Sequence, residues 1–223
     1  MKVPLFTAQT EWIEPEEYPD LRPYDEIAID LETRDPDLKT MGSGSVIGNG
    51  EVVGIAVAVP GRKYYFPIAH GSGPNMDRKK TLEWFKDILA SDAIKIFHNA
   101  MYDVCWIRSA TGLMPKGNLY DTMIAASVID ENRKSYSLDS LSADYLNDKK
   151  YKYDLKDRAL AEHGIADPMS NMDKLPYDLV KDYAEQDVSL TLRLWKKFKE
   201  IIDKPIQVLG PEDNPVKYKT LQN

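Results

Sequence analysis

The chain has 223 residues, 43% of them hydrophobic, and a formal charge of −7 from 36 acidic and 29 basic residues. That length and apolar content support a sizeable core in one large domain or two small ones. The acidic balance excludes a general basic nucleic-acid binder, though not an enzyme that meets phosphates through metal ions and a local basic patch. Cys105 is the single cysteine, so no intramolecular disulfide can form and a reducing compartment is expected. No apolar run approaches the ~18 residues of a membrane span. The start, Met1-Lys2-Val3-Pro4-Leu5-Phe6-Thr7, is too short in apolar residues for a secretory signal, so a soluble cytoplasmic protein is expected.

Residues 1–23 are acidic and carry prolines, and read as an extended lead-in packed through Trp12. A buried strand follows at 24–31. Residues 33–50 are polar and rich in Gly and Ser, and end in Gly48-Asn49-Gly50, a hairpin-turn signal. The run through Val52, Val53, Ile55, Ala56, Val57 and Ala58 makes 51–59 a second strand. Pro60-Gly61 is a turn, and 63–67 a third strand, so the first three strands read as an antiparallel meander. The period then changes. Leu82, Phe85, Ile88 and Leu89 stand at helical spacing within 76–90. A short apolar strand follows at 93–97, and a helix over 99–110 that stops near Gly112. Asp121 is the N-cap of a helix to 129, and Ser137 or Leu138 opens another to 146. The segment 147–157, dense in Lys, Tyr and Asp, reads as an exposed loop, followed by a short helix at 155–164 and a loop at 168–174. Pro176 suits the first turn of a long last helix reaching 202. This order describes an α/β fold, a mixed sheet covered by helices.

Three constellations carry the chemistry. In Asp30-Leu31-Glu32 at the end of the first strand, the period of two puts both acids on the face of Ala28 and Leu31 on the other. Paired carboxylates oppose each other's ionisation, and a divalent cation would remove the conflict. Alone, the triplet is more often a solvated strand end. His98-Asn99-Ala100-Met101-Tyr102-Asp103 lies where a strand passes into a helix, the end at which α/β sheets usually bind ligands. Asn99 and Asp103 share a helix face, and Asp103 is an acid among Met101, Val104, Cys105, Trp106 and Ile107. Asn99 also fits a plain helix cap. In Tyr183-Ala184-Glu185-Gln186-Asp187, Tyr183 and Asp187 share one face of the last helix. Taken together, Asp30, Glu32, Asp103 and Asp187 are an all-oxygen donor set suited to two divalent ions of the kind that clamp a phosphoryl transfer.

The series Asp-x-Glu, Asn-x3-Asp, Tyr-x3-Asp resembles the DnaQ-like 3′–5′ exonucleases of the DEDDy type. More narrowly, it resembles the proofreading domain of family A, polymerase I-like, DNA polymerases. The supporting text runs through Ile29–Thr33, Val53–Ala58, Tyr65–His70, Phe97–Asn99, Asp121–Ala126, Leu138–Leu141 and Tyr183–Thr191, in family order. The resemblance implies an RNase H-like mixed sheet and exonuclease activity of residues 24–203. It implies Asp30, Glu32, Asp103 and Asp187 as ligands of two divalent ions (Mg²⁺, with Mn²⁺ as substitute), and Tyr183 orienting the attacking water. Leu31, Thr33, Asn99 and Tyr102 would touch the terminal nucleotide of a single DNA strand entering by its 3′ end. Arg133 and Lys134 are weaker candidates for phosphate contact. Lys219-Thr220-Leu221-Gln222-Asn223 resembles the linker before a polymerase portion. On that likeness 204–223 is expected to lead toward such a portion, in the full-length protein or in trans, in a bacterial or phage-infected cell. The segments 41–50 and 147–157 have no counterpart in the family.

Three other signals fail on spacing or setting. Gly42-Ser43-Gly44-Ser45-Val46-Ile47-Gly48 precedes a strand, unlike a dinucleotide loop. His70, His98 and His163 lack zinc-ligand spacing with one another or with Cys105. Cys105 lies in an apolar helix as a core thiol. Two alternatives stand beside the proofreading one. An RNase D-like RNA exonuclease would carry the same four acids and tyrosine. A catalytically silent strand-binding domain would be expected to lack one or more of them.

Overall fold

The strand that carries Asp30 and Glu32 is the centre of the sheet. The structure, a computed structural model, describes residues 18–148, 152–203, 207–209 and 215–217. Five strands, β1 (Glu26–Arg34), β2 (Glu51–Val59), β3 (Arg62–Pro67), β4 (Ile94–Phe97) and β5 (Leu119–Asp121), form one sheet in the order β3-β2-β1-β4-β5. β1 and β3 run antiparallel to β2, whereas β1, β4 and β5 are mutually parallel. The expected meander with added parallel strands is therefore the observed topology. The alternation of β1 decides the layering. Ile27, Ile29 and Leu31 enter a core with Phe85, Ile88 and Leu89 of α2 (Arg78–Ala90) and with Trp106 and Ile107 of α3 (Ala100–Thr111). Ala28 faces the opposite layer with Ala56 and Ala58. Three alanines keep that face low, so the long helix α7 (Tyr177–Ile202) lies close on it through Val180, Ala184 and Val188.

Three further helices complete the cover: α4 (Thr122–Ile129), α5 (Leu138–Leu146) and α6 (Lys152–His163). Leu141 of α5 and Ala126 of α4 meet Leu190, Leu194 and Phe198 of α7 in a separate apolar cluster. Ser137 caps α5 by accepting the Ser140 N–H. No helix among the described residues is long and apolar enough to cross a membrane.

The structure departs from the sequence reading in several places. Within 33–50 lies a one-turn helix, α1 (Gly44–Ile47), and Gly48 closes it in the left-handed region instead of forming a two-residue hairpin turn. So short a helix has no apolar period to read. β5 was not expected; its three residues pair only with β4 and are too few to show alternation. α6 begins at Lys152, so the end of the expected 147–157 loop is helical; residues 149–151 lie outside the described residues. A 3-10 turn, Met172–Lys174, stands in the expected loop, and Pro176 occupies the N-cap of α7, not its first turn. Of the lead-in, 1–17 with Trp12 lie outside the described residues. Tyr18 stacks on Trp84 and Phe66, and Leu21 is fully buried, so the packed unit begins before residue 24. In the expected linker, β6 (Gln207–Leu209) and β7 (Pro215–Lys217) pair antiparallel; the rest of 204–223 lies outside the described residues.

Candidate active site

Toward the carboxyl ends of β1 and β4 lies a cavity of about 290 Å³, most of whose lining comes from three elements. Asp30, Leu31, Glu32 and Thr33 come from β1, Asn99, Tyr102 and Asp103 from the start of α3, and Tyr183 and Asp187 from α7. All nine residues singled out in the sequence line this one space. Arg133 and Lys134 do not. Arg133 is paired with Asp144 and lies over the Tyr145 ring, 5.3 Å from its centroid, which commits it to α5.

Each side chain is held by local chemistry. β1 delivers Glu32 because a strand alternates, and on the partner strand the residue opposite it makes room for the Tyr65 ring. Glu32 pairs in register with Gly54 of β2, where an added Cβ would lie 2.0 Å from the Tyr65 hydroxyl. Only glycine lets the Tyr65 ring lie there. That hydroxyl is 2.7 Å from His70 Nε2, and His70 Nδ1 is 3.0 Å from the Leu175 carbonyl. The carbonyl can only accept, so Nδ1 carries the hydrogen and the Tyr65 O–H donates to Nε2.

The turn from β4 into α3 is made by Asn99 in the left-handed region, at φ 68 and ψ 53. Asn tolerates that conformation better than most residues. Asn99 stands at the N-cap of α3, but its side chain makes no cap hydrogen bond. The carboxylate of Asp121 does that work, accepting from the Asn99 N–H at 3.1 Å and the Ala100 N–H at 2.8 Å while also capping α4 through the Met123 N–H at 2.8 Å. The Asn99 side chain is thereby not needed to close the helix, and the residue lines the cavity. One turn on, Asp103 accepts the Leu31 N–H at 3.0 Å, which ties α3 to β1.

The electrostatics follow from burial and like charge. Asp103 is 3% exposed; burial, and after it the charge of Asp30, push its carboxyl well above the usual carboxylate range, against the pull of the Leu31 hydrogen bond. Tyr183 is raised by burial, then by Asp187, Glu32 and Asp30, and its hydroxyl hydrogen-bonds Asp187. It therefore keeps its proton at neutral pH. Burial also raises Tyr102, to about 12. Among the described residues no group of three His, Cys, Asp or Glu side chains forms a ready ion cage. The donor set itself, hard carboxylate oxygens with no sulfur, suits Mg²⁺ or Mn²⁺ rather than a softer metal.

Four lining residues escaped the sequence reading: Leu38, His98, Met169 and Met172. His98 stands beside Asn99 in the quoted motif, and its Nδ1 lies 2.8 Å from Thr122 Oγ1, which donates to the Phe97 carbonyl at 3.1 Å. Leu38 and Met169 come from turns and Met172 from the 3-10 turn, all too short to show a period.

Comparison with known proteins places these features. Residues 11–203 match the model of a 3′–5′ exonuclease domain, that of family A DNA polymerases. The chain is 30% identical over 218 residues to a DNA-directed DNA polymerase of Pseudomonas phage M6, covering 91% of this chain and 31% of that protein. It is 29% identical over 185 residues to DNA polymerase I of Pseudomonas aeruginosa, covering 78% of this chain and 19% of the relative. The chain thus spans less than a third of these relatives. Among solved structures, Brucella melitensis NrnC bound to pGG superposes with a TM-score of 0.58 at 18% identity, over 81% of this chain and 74% of that one. The catalytic core of RRP6 from Trypanosoma brucei gives 0.56 at 20% identity, over 81% and 42%. Those two likenesses are of fold, the expected RNase H-like one. With the exonuclease model matched across nearly the whole described sheet and its helices, the chain belongs to the 3′–5′ exonuclease family of polymerase I-like DNA polymerases.

Proposed function

We propose that the cavity takes the 3′-terminal nucleotide of single-stranded DNA and hydrolyses its phosphodiester, releasing 5′-mononucleotides in proofreading. The observation that carries this is the meeting of Asp30, Glu32, Asp103, Asp187 and Tyr183 in one cavity. The four acids would hold two divalent ions, Mg²⁺ or in its place Mn²⁺, which when bound activate water and stabilise charge on the phosphodiester. Tyr183, one turn from Asp187 and kept protonated, directs its hydroxyl to the attacking water and orients it. Water adds to phosphorus, the bond to the leaving 3′ oxygen breaks, and that oxygen takes up a proton. Asn99 offers an amide to the terminal nucleotide, Tyr102 a ring, and Leu31 and Thr33 the floor beneath it. Relatives named as DNA polymerases support DNA over RNA. They also support a polymerase portion as partner, in the same protein or in trans, in the cytoplasm of a bacterial or phage-infected cell.

The test is digestion of matched 5′-labelled single-stranded DNA and RNA with Mg²⁺, Mn²⁺ or EDTA, beside Asp30→Ala. The expected result is a metal-dependent ladder shortening DNA from the 3′ end and lost in the variant. Faster shortening of RNA would move the function to RNA processing. No cleavage of either by folded protein would leave a silent strand-binding domain.

A further inference from the structure

One more carboxylate is buried against the site, outside the set of four acids. Asp35 follows the last residue of β1 and is 5% exposed. Its hydrogen bonds come from neutral groups: the Gly44 N–H donates to Oδ1 at 3.0 Å, and the Tyr102 hydroxyl donates to Oδ2 at 3.1 Å. With the Tyr102 hydrogen given to Asp35, Thr33 Oγ1, 2.7 Å away, is the donor to the Tyr102 oxygen. The hydroxyl is thus committed within the protein on both sides. What Tyr102 presents to the cavity is its ring.

The other arm of Asp35 holds the segment after β1. Gly44 passes so close that an added Cβ would lie 1.9 Å from the Asn49 carbonyl oxygen and 2.9 Å from Asp35 Oδ1. Gly50 sits against Trp106, with an added Cβ 2.7 Å from its ring, so the far end of the loop is also pressed onto α3. Leu38, inside this closed loop, lines the cavity together with Tyr102. One buried carboxylate therefore fixes two apolar walls of the site at once. We infer that Asp35 is a positioning residue for the exonuclease reaction, which sets the Tyr102 ring and the Leu38 segment as the seat of the terminal nucleoside. This rests on the function proposed above.

The prediction is read in steady-state removal of the first nucleotide from a 5′-labelled single-stranded DNA with Mg²⁺. Asp35→Ala should raise KM roughly 10-fold and change kcat by less than about 3-fold, the pattern of lost ground-state seating. Asp35→Asn should restore KM to within about 3-fold of the starting enzyme, because its Oδ1 still accepts from Gly44 and its amide can donate to the Tyr102 oxygen, whose hydrogen then turns to Thr33. Tyr102→Phe should raise KM, and the double variant with Asp35→Ala should be no worse than Asp35→Ala alone, since both break one link. A wild-type KM in Asp35→Ala would overturn the inference. So would a fall in kcat alone matching the unfolded fraction seen by circular dichroism, or full additivity of the pair. If Asp35→Ala does not fold, Asp35→Asn with a KM as high as that of Tyr102→Phe overturns it equally. Failure of the wild-type protein to cut would instead remove the proposed function, and this inference with it.

Discussion

Tyr183 is a phenol among carboxylates, and that setting decides its role. Burial and, after it, the charges of Asp187, Glu32 and Asp30 all disfavour the phenolate, so in the proposed reaction the side chain serves as a hydrogen-bonding hydroxyl and not as a base. Tyr183→Phe is therefore expected to lower kcat about 100-fold with KM little changed, the cost of losing one oriented hydrogen-bonding group in the transition state. The wild-type pH–rate profile should show no limb from Tyr183 up to about pH 9.5, below even the ordinary tyrosine value. Steady-state kinetics on the DNA substrate check both; a limb present in wild type and absent in Tyr183→Phe would refute the protonated role. The four acids and Tyr183 were legible because each lies within a short regular spacing: two along a strand, four along a helix. Asp35 was not. Its partner Tyr102 is 67 residues away in sequence, and no local pattern records that contact.

Between elements, His70 is the fastening that spacing does not reveal. It joins the end of β3, through Tyr65, to the carbonyl of Leu175 just before α7 begins, and so fixes the helix that carries Tyr183 and Asp187. Nε2 must stay an acceptor, since the Tyr65 O–H points at it. Burial holds the imidazole below its ordinary value, against the Leu175 hydrogen bond and the charge of Asp173. The sign follows. Between the folded value and about 6.5 the unfolded chain binds more protons, so stability rises with pH through that window and is lost as pH falls through it. Urea midpoints should decrease on acidification below about pH 6.5, and His70→Gln should be less stable at pH 8 by ~1–3 kcal/mol with a shallower acid decline. An unchanged slope in the variant would assign the acid sensitivity to other groups. Long elements were readable because burial imposed a period: α7 keeps one over 26 residues. α1 and β5, of four and three residues, hold their shape through tertiary bonds, to Asp35 and to β4, that the local sequence does not encode.

For the whole molecule, packing decides where the exonuclease unit starts. The chain matches under a third of its polymerase relatives, so this unit is a part of what they contain. The sequence placed its start at residue 24, because acids and prolines before it suggest an unpacked lead-in. Packing argues otherwise. Leu21 is 1% exposed within the core of β1 and α2, and Tyr18 stacks on Trp84 at 5.5 Å and bonds Thr81 at 2.9 Å. Burying one leucine and one aromatic ring contributes ~3–4 kcal/mol, before the cost of ordering them. A fragment of 18–203 is therefore expected to melt within a few degrees of the full chain and to cut single-stranded DNA. A fragment of 24–203 should melt on the order of 10 °C lower, with the same metal dependence where it is folded. Equal melting of the two fragments would return the boundary to 24 and make the Tyr18 stack incidental. Loss of cleavage in 18–203, with its melting unchanged, would show that residues beyond Asp203 or before Tyr18 complete the site.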